Sequence, residues 1–171
     1  MLFQFGLRDL PEEQTLQEYA LRFPDLDKEA AVAALALLRT ASDLSKVFDS
    51  FFASFDISWG RFIILMLLYR EYPQSLDFAL LSERAEITKA TLTGLIDGLD
   101  NQGLVERRPH PTDRRKQLLC LTAEGLALLE RMLPSHYRTT AYYMSGLNKA
   151  ELLELTELLN RLHEVLTTIR E

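Results

Sequence analysis

Apolar residues recur at helical spacing along most of the chain. Ala31, Leu35 and Leu38 lead into Leu44, Val47 and Phe51, and then Phe62, Leu65, Met66 and Tyr69 repeat the pattern. Proline and glycine fall mainly between such segments. The spacing predicts a short helix over about 11 to 22, ended near Pro24, a long one over 27 to 53, and another over 58 to 71, closed by Pro73. Two compact segments follow. "DFALLSERA" has Asp77 as its N-cap; "TKATLTGLIDGLDNQG" has Thr88 as N-cap and Gly103 as its stop. Only Glu86 and Ile87 separate them, which predicts a helix-turn-helix with its second helix presented outward.

On that second helix Leu92, Leu95, Ile96 and Leu99 share one face, and Ala90, Thr93, Gly94 and Asp97 the other. The period then changes. "LVERR" and "QLLCLT" are short β-type runs on either side of "PHPTD", which carries turn residues, so 104–122 reads as a β-hairpin. Helical spacing returns in "TAEGLALLERML", continues past Pro134 and pauses at "SGLN". Asn148, with Glu151 three residues on, caps a last helix striped by Leu152, Leu155, Leu159, Leu162, Leu166 and Ile169. The fold class expected is mainly α with a small β-hairpin wing.

Charge alters this picture at one place. The chain of 171 residues carries a formal net charge of -6, yet Arg107, Arg108, Arg114, Arg115 and Lys116 cluster on the hairpin. Screening confines each surface patch to about 10 Å, so a local basic cluster can meet nucleic acid whatever the total charge. A guanidinium at a hairpin tip can enter a narrow A·T-rich minor groove, where the potential is most negative, and Arg115 is the candidate probe. Arg107, Arg108, Arg114 and Lys116 are then expected to face phosphates. On the outward helix, Thr88, Lys89, Thr91 and Thr93 are expected to touch phosphates and thymine methyls, with Gly94 and Gly98 letting the backbone approach the groove floor.

A helix-turn-helix followed by a basic hairpin is the layout of a winged helix, and here the chain resembles the MarR family of bacterial transcriptional regulators. The likeness runs from about residue 30 to the end, and its most specific part is "TLTGLIDGLDNQGLVERRPHPTDRRKQLLCLTAEG". The family's wing places an Asp-x-Arg arginine in the minor groove, a pattern that falls here on Asp113 and Arg115. The resemblance implies a single domain over 1–171, with a winged-helix part at about 58–125 and dimerisation helices at about 1–53 and 126–171. A homodimer would cover the terminal stripes and carry two recognition helices for a palindromic operator with half-sites about 34 Å apart. The resemblance also implies a small-molecule cleft, and Phe48, Phe52, Trp59, Arg61 and Phe62 lie in the matching region. A ring with a polar handle beside a cation suits an aromatic acid or phenol.

The function expected is a sequence-specific DNA-binding regulator, a dimeric repressor released by a small aromatic ligand. The alternative is a winged-helix module whose basic wing docks on an acidic protein. Cys120, the single cysteine, sits among Leu118, Leu119 and Leu121 and is expected to be inert packing. His110, His136 and His163 are far apart, so neither a metal site, a cofactor nor an enzyme is expected. Arg8 and Asp9 interrupt the start before a signal-peptide core could form, and "FIILMLLY" at 62–69 is too short to span a bilayer, which leads to the expectation of a soluble cytoplasmic protein.

Overall fold

The computed structural model describes residues 9–113 and 116–169. Its order is α1 (Glu13–Arg22), α2 (Lys28–Ala53), α3 (Trp59–Glu71), β1 (Leu76–Asp77), α4 (Phe78–Arg84), α5 (Lys89–Asn101), β2 (Val105–Pro109), β3 (Gln117–Leu121), α6 (Ala123–Tyr143) and α7 (Lys149–Thr168). The chain divides into two compact units, one ending at Leu121 and the other starting at Thr122.

In the first unit α2 to α5 each begin where a side chain takes up a free backbone N–H, whereas Glu12 before α1 makes no such bond. Asp27 accepts from Ala30, Ser58 from Arg61, Asp77 from Ala79 and Thr88 from Thr91. Helix α3 buries Phe62, Ile64, Leu65, Leu67 and Leu68, a set that wraps more than one face, as a central helix must. From α4 comes Leu81, and from α5 Leu92, Ile96 and Leu99, all fully buried. Ser82 closes the tight turn between α4 and α5: its hydroxyl donates to the Ile87 carbonyl at 2.7 Å, and its own carbonyl accepts from the Ile87 N–H at 3.2 Å. Glu86 takes a left-handed conformation, φ 51°, to make that reversal. After α5 the chain turns at Gly103, φ 71°, a conformation that glycine adopts without steric cost.

The three strands form an antiparallel sheet in the order β1-β3-β2. In the hairpin Val105 faces Leu121, Arg107 faces Leu119 and Pro109 faces Gln117. Strand β1 was not among the expected elements. Two residues cannot show an alternating pattern, and this strand exists because Leu76 and Asp77 pair with Leu119 and Leu118 on the open edge of β3. Cys120 is buried, as its apolar neighbours led us to expect.

In the second unit α6 starts at Thr122, whose hydroxyl accepts from Gly125, and runs through Pro134 without a break. It buries Leu128, Leu129, Met132 and Leu133. Helix α7 opens with the expected capping box. Asn148 Oδ1 accepts from the N–H groups of Ala150 and Glu151, and the Glu151 carboxylate accepts from the Asn148 N–H at 2.7 Å. None of α7 is buried, and Leu155, Leu159, Leu162 and Leu166 are all exposed in the single chain. No helix among the described residues is long and apolar enough to cross a membrane.

Candidate nucleic-acid interface

The outer face of α5 is open. Lys89, Ala90, Thr91, Thr93, Gly94 and Asp97 are exposed, and a Cβ added at Gly94 would meet nothing within 4 Å. The hydroxyls of Thr88 and Thr91 bond each other at 2.9 Å, and the Thr93 hydroxyl donates back to the Lys89 carbonyl at 2.8 Å. These bonds hold the three hydroxyls close to the helix.

Beside this face lies a groove of about 470 Å³ lined by Asp77, Phe78 and Ala79 at the start of α4, Lys89 and Thr93 on α5, Arg107 on β2, and Lys116 and Gln117 at the start of β3. It brings together four of the residues expected to meet DNA: Lys89, Thr93, Arg107 and Lys116. Thr88 and Thr91 stand at the first turn of the same helix. Arg114 and Arg115 lie outside the described residues.

The hairpin turn is organised by a residue that sequence reasoning passed over. His110 Nδ1 accepts from the backbone N–H of Thr112 at 3.3 Å and of Asp113 at 3.2 Å. The Asp113 carbonyl accepts from the Lys116 N–H at 3.0 Å. A histidine between two prolines, followed by Thr-Asp, was the available signal, because a short acceptor side chain at a turn commonly takes backbone donors two or three residues on.

Three wing cations have carboxylate neighbours inside the unit, which qualifies the expectation that they simply face phosphates. Arg107 pairs with Asp97 and approaches Asp100 Oδ2 at 3.6 Å. Arg108 pairs with Glu106, and Lys116 lies 3.9 Å from Asp77. For Arg107 the cause is geometric: the chain turns from α5 into β2, and this side chain lies back over Asp97 and Asp100 of the helix. Such part-exposed pairs are worth about 0 to 1 kcal/mol each, weak enough for a phosphate to replace the carboxylate. Asp97 and Asp100, one helical turn apart and followed by a returning strand, could have signalled the Arg107 pairing.

The aromatic residues do assemble. Phe48 and Trp59 stack with ring centroids 5.0 Å apart and planes 9° from parallel, and Phe52 stacks on Phe62 at 4.3 Å. Phe52 and Phe62 are buried in the core, whereas Phe48 and Trp59 are half-buried. Arg61 does not complete this set as expected. Its guanidinium lies over Gly98 of α5 and donates to Gln102 Oε1 at 3.4 Å. Gly98 is accordingly a seat for Arg61, not a place where α5 approaches a groove floor. Residues 59 and 61 are two apart on α3, so the helical period itself sends them in different directions. Among the described residues, no three His, Cys, Asp or Glu side chains could together hold a metal ion.

Comparison with known proteins matches this geometry. The MarR family model matches residues 57–116, from just before α3 to the residue before β3. The HTH-type transcriptional repressor YetL of Bacillus subtilis is 34% identical over 165 residues, which span 96% of this chain and 99% of that protein. A MarR family transcriptional regulator from Streptomyces coelicolor, solved in complex with DNA, superimposes with a TM-score of 0.76 at 23% identity, over 81% of this chain and 88% of that one. Another structure, of Bordetella bronchiseptica BpsR, concerns the regulation of DNA binding by 6-hydroxynicotinic acid; it matches with a TM-score of 0.61 at 28% identity over 75% of this chain and 96% of that one. With its recognition helix, basic hairpin and near full-length likeness to a repressor, the chain belongs to the MarR family of winged helix-turn-helix transcriptional regulators.

Proposed function

We propose that the protein is a homodimeric repressor that reads a palindromic operator with α5 and its wing, and that a small aromatic acid bound beside the Phe48–Trp59 stack releases it. The observation that carries the reading is the groove of about 470 Å³ in which α5, the start of α4 and both hairpin strands converge with Lys89, Arg107 and Lys116 on its walls. Cations contributed by the hairpin and by the start of an exposed helix suit the phosphate backbone, and threonine methyls suit thymine. Thr88, Lys89, Thr91 and Thr93 contact the major groove and its phosphates. Arg115 probes the minor groove with Asp113 beside it, and Arg107, Arg108, Arg114 and Lys116 supply the surrounding positive field.

Dimerisation follows from the exposed apolar stripe of α7, which a second copy covers. In this organisation about 58–125 forms the DNA-binding part and the helices on either side, about 1–53 and 126–171, form the dimer. The half-buried Phe48 and Trp59 rings offer a flat apolar surface to an aromatic ligand, and BpsR is a relative whose DNA binding responds to such an acid. Acting on chromosomal DNA, the protein works in the cytoplasm.

The deciding experiment is binding to a duplex carrying a palindrome from the protein's own promoter. The dimer is expected to bind it over a scrambled duplex, with affinity that falls steeply as salt rises. Equal affinity for both duplexes would refute sequence-specific recognition.

A further inference from the structure

The first turn of α3 touches two different partners through consecutive residues. Trp59 stacks on Phe48 of α2. Gly60 brings the α3 backbone against Leu95 of α5, where an added Cβ would lie 3.3 Å from Leu95 Cδ2. Arg61 lays its guanidinium on the α5 backbone at Gly98, so closely that a Cβ there would lie 2.0 Å from Nη2 and 2.5 Å from Cζ. The contact continues to Gln102 at the end of α5, whose Nε2 donates to the Asp56 carbonyl at 2.8 Å. Asp56, in a left-handed conformation with φ 58°, belongs to the turn that joins α2 to α3.

From this arrangement we propose that Arg61 is a positioning residue for the recognition helix, and that the Arg61–Gly98 contact couples the Trp59 stack to the seating of α5. The proposal rests on α5 being the DNA-reading helix and adds a specific route by which an event at Trp59 reaches it. Gly98 has a particular part in it. Any side chain at 98 would occupy the volume of the guanidinium, so glycine at this position keeps the contact available. Ligand and DNA can influence each other only through a difference in how the two arrangements bind them, and the coupling must then run in both directions. Operator bound to α5 should therefore be felt at Trp59, with no ligand present.

The test uses Trp59, the single tryptophan of the chain, as reporter. The dimer is titrated with its promoter duplex while Trp59 emission and duplex binding are followed separately, for the unaltered protein, Arg61→Ala, Gly98→Ala and the double variant. The expected result is an emission change on duplex binding that falls to about half or less in each single variant. The double variant should be no worse than either single one, because each removes the same contact. Gly98→Ala should keep or raise the melting temperature, since alanine favours a helix interior and the long arginine side chain can swing aside. Loss of coupling with unimpaired stability separates a positioning role from a merely structural one.

Three results would overturn the proposal: no emission change in the unaltered protein on duplex binding, a full emission change in Gly98→Ala, or additive losses in the double variant. If the unaltered protein binds the duplex and these results are seen, the coupling fails while the repressor reading stands. If it does not bind the duplex, the DNA-reading role of α5 fails, and the coupling with it.

Discussion

Replacing Arg107 with alanine leaves Asp97 and Asp100 without the guanidinium that bridges them, and their side chains are 53% and 46% exposed on the helix proposed to read DNA. The effect on folding should be small, because part-exposed ion pairs contribute about 0 to 1 kcal/mol. The effect on DNA binding can be worked from charge. A carboxylate about 10 Å from a phosphate in water is repelled by about 0.4 kcal/mol, so two uncovered carboxylates cost about 1 kcal/mol in each half-site. That is roughly a fivefold loss for each half-site. The salt dependence tells an uncovered repulsion from a lost phosphate contact. A cation that neutralises a phosphate releases counterions and contributes about 0.9 to the slope of log K against log salt. If Arg107 stays with Asp97 and Asp100 in the complex, Arg107→Ala leaves the slope almost unchanged. Asp97→Asn combined with Asp100→Asn then frees the arginine and steepens the slope by about 0.9 for each half-site. Binding isotherms at several salt concentrations measure both variants directly. The reasoning is refuted if Arg107→Ala flattens the slope by about 1.8 across the dimer while the asparagine pair leaves it unchanged, for then phosphate has displaced the carboxylates.

Other outcomes follow from the same reading. Arg115→Ala should weaken operator binding by about 1 to 3 kcal/mol with the fold intact, and unchanged affinity would remove Arg115 from the minor groove. Asp113→Ala should lose less, since it only positions the wing; tighter binding would show that its charge mainly repels phosphate. Leu159→Asp puts a charge into the exposed stripe of α7, so sedimentation should report monomer or unfolded chain together with loss of operator binding, whereas a stable dimer would place the interface elsewhere. Among phenolic and benzoic acids, at least one should change Trp59 emission and release operator over one concentration range. Phe48→Ala should weaken both responses, and no response to any of these acids would assign the stack to the core alone.

Much of the fold is legible in the sequence because its signals are local. Asp77, Thr88 and Asn148 each cap a helix whose first free N–H groups lie two or three residues away, so spacing alone locates those starts. The helical period of α5 separates Leu92, Ile96 and Leu99 from the outer face, and Gly103 takes the left-handed turn for which glycine is suited. The basic hairpin is likewise a matter of neighbouring residues. What the sequence could not decide is which distant groups share a small volume. Strand β1 forms only because β3 offers an edge to Leu76 and Asp77. Arg107 meets Asp97 because β2 folds back along α5, and Arg61 meets Gly98 because α3 packs beside α5 and the glycine leaves room for the guanidinium. Those contacts depend on the docking of whole elements, to which buried residues spread over the entire first unit contribute. Which distant residue a side chain meets is therefore settled only in the packed chain, and there the Arg61 guanidinium lies on Gly98 of α5.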